Sequence, residues 1–237
     1  IKAIKDEIDL PIHFHTHDTS GLGGATIIAA AEAGVDISDA AMDSFSGGTS
    51  QPCFGSIVEA LRNTNRDTRL NREVILEIND YWNAVRSQYT AFESGIKSPA
   101  SEIYLHEMPG GQFTNLKAQA RSMGLEDKWS EIASTYADVN KMFGDIVKVT
   151  PSSKVVGDMA LMMVSQGISR TEVESTSVEV SFPESVIDML SGNLGQPPEG
   201  FPRNLTRKAS LIKKHRKRMD SQVFCIRDYF PNTVRGP

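Results

Sequence analysis

The chain has 237 residues, 39% hydrophobic and 23% charged, with a formal net charge of −5, a balance that suits a protein with a sizeable core and excludes an intrinsically disordered chain. Its longest apolar stretch, around TIIAAAEAGV, falls far short of the roughly 20 residues that a membrane-spanning helix needs. Cys53 and Cys225 are too few for a disulfide framework or a four-thiolate zinc site and read as reduced thiols, which favours a reducing compartment.

The first residues, IKAIKDEIDLP, lack an initiator methionine and a signal-type apolar core and read as a helix already under way, so the chain is expected to start inside a larger polypeptide. Residues 11 to 21, PIHFHTHDTSG, carry His13, His15 and His17 on alternate positions. A period of two is that of a strand, with Ile12, Phe14 and Thr16 on a core face and the three imidazoles on the other. Thr19 and Ser20 are candidate N-caps for a helix over GLGGATIIAAAEAG, with Gly34 as its stop. VDISDAAMDSFSGG reads as a second, weaker strand ending in a Gly-rich turn. Strand, helix and strand in that order and at this length imply a parallel pair with a right-handed crossover, hence an α/β fold.

From about residue 52 the pattern turns helical: REVILEINDYWNAVRSQYTAF, NLKAQARSMG, EDKWSEIASTYADVNKMFG and SSKVVGDMALMMVSQG place apolar residues three and four apart. Met159, Met162 and Met163 at that spacing are core filler. STSVEVSF keeps a strand-like alternation. PGGQFTN, residues 109 to 115, reads as a tight connection between helices, and His106 just before it as a hydrogen-bonded structural histidine. Charge separates the end of the chain: residues 1 to 202 hold 15 Lys+Arg against 28 Asp+Glu, whereas residues 203 to 237 hold 10 against 2. Such basic runs are the usual footprint of phosphate binding. No aromatic side chains interleave its core, RNLTRKASLIKKHRKRM, to stack on bases, so a solvated linker or docking surface is expected rather than a nucleic-acid interface. The chain thus divides into residues 1–58, 59–202 and 203–237.

Two histidines at i and i+2 on a strand project to one face, which suits neighbouring positions on a divalent ion such as zinc, manganese or cobalt. Two of the three suffice, and the H-x-H spacing does not choose the pair. Ligands in parallel α/β folds collect at the C-terminal strand ends. There Asp18 and Thr19 succeed the last histidine, and Thr49 and Ser50 succeed the second strand as candidate lining residues. One or two further donors, commonly carboxylates, with water or substrate would complete such a site.

HFHTHDTSG, SFSGGTSQP, HEMPGGQFTNL and FGDIVKVTPSSKVVGDMAL together resemble the carboxyltransferase domain of the biotin-dependent pyruvate carboxylases, from about residue 1 to 202. Oxaloacetate decarboxylase and transcarboxylase subunits share part of this pattern and are the alternative reading. A metal-dependent barrel hydrolase also uses H-x-H, but there further His and Asp ligands usually come later in the chain, and here the only later histidines are His106 and His215. The resemblance implies the last strands and helices of a (β/α)8 TIM barrel over 1–58, a helical funnel over 59–202, and a basic tail that departs from the family between Lys208 and Pro231.

In that family the metal is held by the last two histidines of this strand, which are His15 and His17, by an aspartate and by a carbamylated lysine. The aspartate and lysine belong to earlier strands that this chain does not contain, as do the residues that hold pyruvate. His13 is then a neighbour of the site or a packed residue. The family's proton carrier falls on Thr150, and Ser153 and Lys154 match positions near biotin. The resemblance implies transfer of a carboxyl group from carboxybiotin to pyruvate to give oxaloacetate, with biotin on a separate carrier domain and ATP used only by a separate biotin carboxylase domain. A homo-oligomeric parent, cytoplasmic in bacteria or in the mitochondrial matrix in eukaryotes, is also implied, with the bacterial cytoplasm preferred and the isolated segment inactive.

Overall fold

The alternating histidine segment forms a short strand: β1 (His13–Phe14) pairs in parallel with β2 (Ile37–Ser38), His13 opposite Ile37 and Phe14 opposite Ser38, in the computed structural model of the chain. Pairing extends one residue each way, since the Ile37 N–H donates to Ile12 O and the Asp39 N–H to Phe14 O, both at 3.1 Å. The structure describes residues 1–93, 95–96 and 98–215. The chain divides into two compact units, Ile1–Ser122 and a second beginning at Met123, so the change of periodicity after residue 58 falls inside the first. No helix among the described residues is long and apolar enough to cross a membrane.

In the first unit α1 (Lys2–Glu7) leads into β1, and α2 (Gly23–Glu32) connects β1 to β2. Gly34, at φ +98°, stops α2 as expected, because a residue without Cβ enters that region freely. The N-cap differs from expectation. Neither Thr19 nor Ser20 caps the helix; the Asp18 carboxylate accepts the Gly23 N–H at 2.9 Å instead, where a negative charge also complements the positive helix end. Ile27 and Ala31 of α2 bury against Ile57 and Leu61 of α3 (Phe54–Leu61), with Phe14 from β1 packed on them. Each buried Ile or Leu there contributes about 1.5–3 kcal/mol, and Phe14 joins this core while its flanking histidines point the other way.

The Asn71 side chain caps α4 (Arg72–Arg86) by accepting the Val74 N–H at 3.0 Å. α4 lies along the turn Asp43–Phe45, joined by Ser44 N–H to Asn79 Oδ1 at 3.0 Å and by Phe45 packed edge-on against Trp82. Glu59 on α3 reaches across to Arg72 and also binds Arg62, and the two guanidiniums, Arg72 foremost, pull its carboxyl down to about 2. α5 (Ile103–His106) is succeeded directly by α6 (Gly110–Ser122). PGGQFTN is therefore a helix start and not a connection: Pro109, with φ fixed near helical values, accepts the first intrahelical bond from Phe113 N–H at 2.9 Å.

In the second unit α7 (Trp129–Met142), α8 (Ser152–Gln166) and α10 (Glu184–Leu190) pack around fully buried Tyr136, Val139, Val156, Met159 and Ile187, with α9 (Arg170–Glu174) alongside α7. α8 is apolar on most sides, its three methionines included, as a helix enclosed by neighbours has to be. STSVEVSF forms no strand. Val180 and Phe182 are buried, so the alternation reflects an extended segment that seats two side chains without a pairing edge. Residues 203–215 form a helix that buries Leu205 and Ala209, and Lys208 donates to the carbonyls of Glu172 at 3.3 Å, Val173 at 2.9 Å and Ser175 at 2.9 Å, closing the end of α9. That stretch of the basic tail thus seats one face while Arg203, Arg207 and Lys214 stay exposed; the rest of it, with Cys225, lies outside the described residues.

Candidate functional site

β1 and the segments after β2 set the histidines. His15 Nδ1 lies 2.6 Å from Asp39 Oδ2, and His17 Nδ1 lies 2.6 Å from the Thr49 carbonyl oxygen. A carbonyl and an ionised carboxylate only accept, so both Nδ1 atoms carry a hydrogen, and in the neutral rings both Nε2 atoms present a lone pair. These two Nε2 atoms are 3.3 Å apart, with the rings nearly perpendicular at 84°. Two lone pairs at that distance repel unless a proton or a metal cation is shared between them. Nitrogens 3.3 Å apart can both sit about 2.1 Å from a common point at an angle of about 105°, within the range of a four- to six-coordinate divalent ion. The residues therefore fit a metal.

His13 is built differently. Its Nε2, the far nitrogen, is engaged by Asp39 Oδ1 at 2.7 Å, so the pair whose free donors converge is His15 with His17. Hydrogen bonds from His13 first and His15 second hold the Asp39 carboxyl below its ordinary range. Among the described residues no group of three or more His, Cys, Asp or Glu side chains is arranged to hold a metal, so this part of the chain presents two donors and no more. The sequence reading missed Asp39, although the strand register contains it: with Phe14 opposite Ser38, the next step sets His15 beside Asp39.

Thr49 and Ser50 do meet this strand end. The Thr49 carbonyl fixes His17, its Oγ accepts from Thr114 Oγ at 2.8 Å, and the Ser50 carbonyl accepts the Asp18 N–H at 2.8 Å. Both line a cavity of about 490 Å³ with Arg86 and Phe92. The start of α6 closes on the His17 ring so tightly that a Cβ on Gly110 would stand 2.7 Å from Nδ1. His106 is only half satisfied, against expectation. Its Nδ1 accepts the Met108 N–H at 3.0 Å, its Nε2 has no partner among the described residues, and burial lowers the pKa of the ring.

Thr150, Ser153 and Lys154 fall in the second unit, at the start of α8. Thr150 is exposed, precedes Pro151 across a cis peptide bond, and lines an apolar-walled cavity of about 350 Å³ with Val149, Met189 and Phe201. Ser153 is buried in the first helical turn, its N–H on Val149 O at 3.1 Å and its carbonyl accepting from Tyr136 Oη at 3.3 Å. The Lys154 ammonium is exposed and paired with Asp158 at 2.6 Å, and Asp158 is itself fixed by the Ser185 hydroxyl at 2.6 Å. Asp158 and Ser185 were not singled out from the sequence, although Lys154 and Asp158 show the i, i+4 spacing of a helical ion pair.

Residues 103–223 match the family model described as the conserved carboxylase domain. Pyruvate carboxylase of Bacillus subtilis is 50% identical over 205 residues, covering 86% of this chain and 18% of the relative; the mitochondrial enzyme of Homo sapiens is 48% identical over 205 residues, covering 85% and 17%. The carboxyl transferase domain of Rhizobium etli pyruvate carboxylase, solved with pyruvate and biocytin, is 66% identical with a TM-score of 0.86 over 87% of this chain and 35% of that one. The complete multifunctional pyruvate carboxylase of the same organism aligns equally well, over 20% of its chain. The chain thus spans less than a fifth of the curated relatives it matches. Likeness at this level bears out the expected fold class: the β1–α2–β2 region belongs to the C-terminal part of a TIM barrel, and a mainly helical extension succeeds it. With just over half of its length matched by the family model, the chain belongs to the conserved carboxylase domain family.

Proposed function

We propose that this chain is the carboxyltransferase segment of a pyruvate carboxylase, moving the carboxyl group of carboxybiotin to pyruvate to give oxaloacetate. The observation that carries the reading is the convergence of His15 and His17 Nε2 at 3.3 Å with each Nδ1 already engaged. A relative 66% identical to this chain was solved with pyruvate and biocytin, which supports the choice of substrates. A divalent ion held by His15 and His17, of zinc, manganese or cobalt type, supplies Lewis-acid polarisation of a carbonyl oxygen. An aspartate and a carbamylated lysine, as the resemblance implies, would complete the ligand set.

Within that reaction Thr150 carries the proton. Its hydroxyl accepts a methyl proton of pyruvate while donating its own to the ureido group that has released its carboxyl, so the side chain never bears net charge. Its exposure and the neighbouring apolar cavity suit the task. The Lys154 ammonium, oriented by Asp158, offsets developing charge on the ureido oxygen, with Ser153 beside it. Thr49 and Ser50 shape the strand end around His17. Residues 1–58 supply barrel elements, 59–202 the funnel, and 203–237 the connection onward. Biotin arrives on a carrier domain, and ATP is consumed only in the biotin carboxylase domain of a homo-oligomeric parent. That parent works in the bacterial cytoplasm or, in eukaryotes, in the mitochondrial matrix. Thr150→Ala in the complete polypeptide should abolish oxaloacetate formation and leave ATP-dependent biotin carboxylation intact; oxaloacetate formed at the original rate would refute the assignment.

A further inference from the structure

We propose that Asp39 is a positioning residue that fixes the tautomer and direction of His15 toward the metal, and that His13 is the second anchor of the same carboxylate rather than a ligand. This rests on the carboxyl-transfer reading. The two histidines meet Asp39 with different nitrogens. His15 uses its near nitrogen, Nδ1, at 2.6 Å, which leaves the far nitrogen directed at His17; His13 uses its far nitrogen, Nε2, at 2.7 Å, which removes the atom best placed to join them. One carboxylate therefore sorts two neighbouring imidazoles into donor and support. With both oxygens engaged, Asp39 cannot turn about its last torsion without breaking a bond, and its own position is set just past the end of β2, where the Asp39 N–H is tied to Phe14 O at 3.1 Å.

A carboxylate behind a ligating imidazole keeps its Nδ1–H tautomer and raises its basicity, and losing such a partner typically lowers metal affinity about 10–100-fold. A surface ion pair between Asp39 and two partly exposed histidines would do neither, and its loss would leave metal affinity where it was. The readouts are cobalt(II) affinity by competition with a chelator and the visible ligand-field spectrum of the cobalt-loaded protein, measured on the complete polypeptide for wild type, Asp39→Ala, Asp39→Asn, His13→Gln and His15→Ala. Asp39→Ala is expected to lose about 10–100-fold in affinity with a shifted spectrum, and Asp39→Asn, whose amide oxygen still accepts from Nδ1–H, to lose less. His13→Gln should keep stoichiometric metal, whereas His15→Ala should not.

Metal lost in His15→Ala but held within twofold of wild type by both folded Asp39 variants would overturn the inference alone. His13→Gln stripping the metal as fully as His15→Ala would make His13 a ligand and overturn its role as anchor. Metal that survives His15→Ala would overturn the metal reading and this inference together. Should Asp39→Ala fail to fold by circular dichroism, Asp39→Asn carries the same comparison.

Discussion

Gly110→Ala tests how a helix start sets a metal ligand that is distant in sequence and adjacent in space. The new Cβ would stand 2.7 Å from His17 Nδ1, 2.8 Å from Cγ and 3.0 Å from Cβ, so ring or helix must give way by about 0.7 Å to restore ordinary contact. The ring cannot retreat freely, because Nδ1 is bonded to Thr49 O at 2.6 Å. Ligand positions at a metal tolerate only about 0.2 Å, so the expected result is a loss of about 10–100-fold in metal affinity, against a gain of at most about 1 kcal/mol in helix propensity. Gly111→Ala is the internal control, since its Cβ would meet nothing within 4 Å. Affinity is read by chelator competition and stability by thermal unfolding of the complete polypeptide. A folded Gly110→Ala protein that binds metal as tightly as Gly111→Ala would refute the reasoning.

The second unit and His106 yield three more tests. Lys208→Met removes three bonds to the carbonyls of Glu172, Val173 and Ser175 and should cost about 1–2 kcal/mol, seen as a lower denaturation midpoint; an unchanged midpoint would mean that water replaces the ammonium without loss. Burial lowers the His106 pKa below its ordinary 6.5, so the unfolded chain takes up the proton first. Its contribution to stability is full above about pH 6.5 and declines as pH falls toward the folded value. In His106→Gln that part of the pH dependence of Tm should vanish, and an identical Tm profile would assign it to other groups. Asp158→Asn weakens the ion pair that holds Lys154 at 2.6 Å and should lower kcat of carboxyl transfer more than it raises KM for pyruvate, a split that steady-state kinetics resolves.

The histidine face and the helical periods were legible because period is a local property. Phe14 lies in the core and His13 and His15 lie outside it, as alternation requires, and α4, α7 and α8 keep their three- and four-residue spacing. Positions that depend on a distant partner were harder to read. STSVEVSF alternates correctly, yet a strand needs an edge to pair with, and Val180 and Phe182 are buried without one. Asp18 displaced Thr19 and Ser20 as the cap of α2 because a carboxylate one or two residues earlier can still reach Gly23 N–H. PGG looked like a loop by composition, but Gly110 is where α6 must touch His17, a constraint set by spatial proximity and not by local conformation.

The two proposed ligands are held by unlike supports. His15 is backed by an anion, Asp39, whereas His17 is backed by a neutral carbonyl, Thr49, whose own side chain is tied to Thr114 on α6. An anion behind an imidazole strengthens it as a donor more than a carbonyl dipole does, so the two nitrogens at 3.3 Å are unequal as donors. Removing Asp39 should weaken the metal through the electronics of His15, while removing the Thr114 hydroxyl should act through position alone, that of the Thr49 loop and of Gly110, whose carbonyl it also reaches at 3.3 Å. Thr114→Val, which keeps the shape and deletes the bond, should therefore cost less metal affinity than Asp39→Ala and leave the ligand-field spectrum of a cobalt-loaded protein closer to wild type. The reverse order would mean that the loop, and not the charge, governs the site.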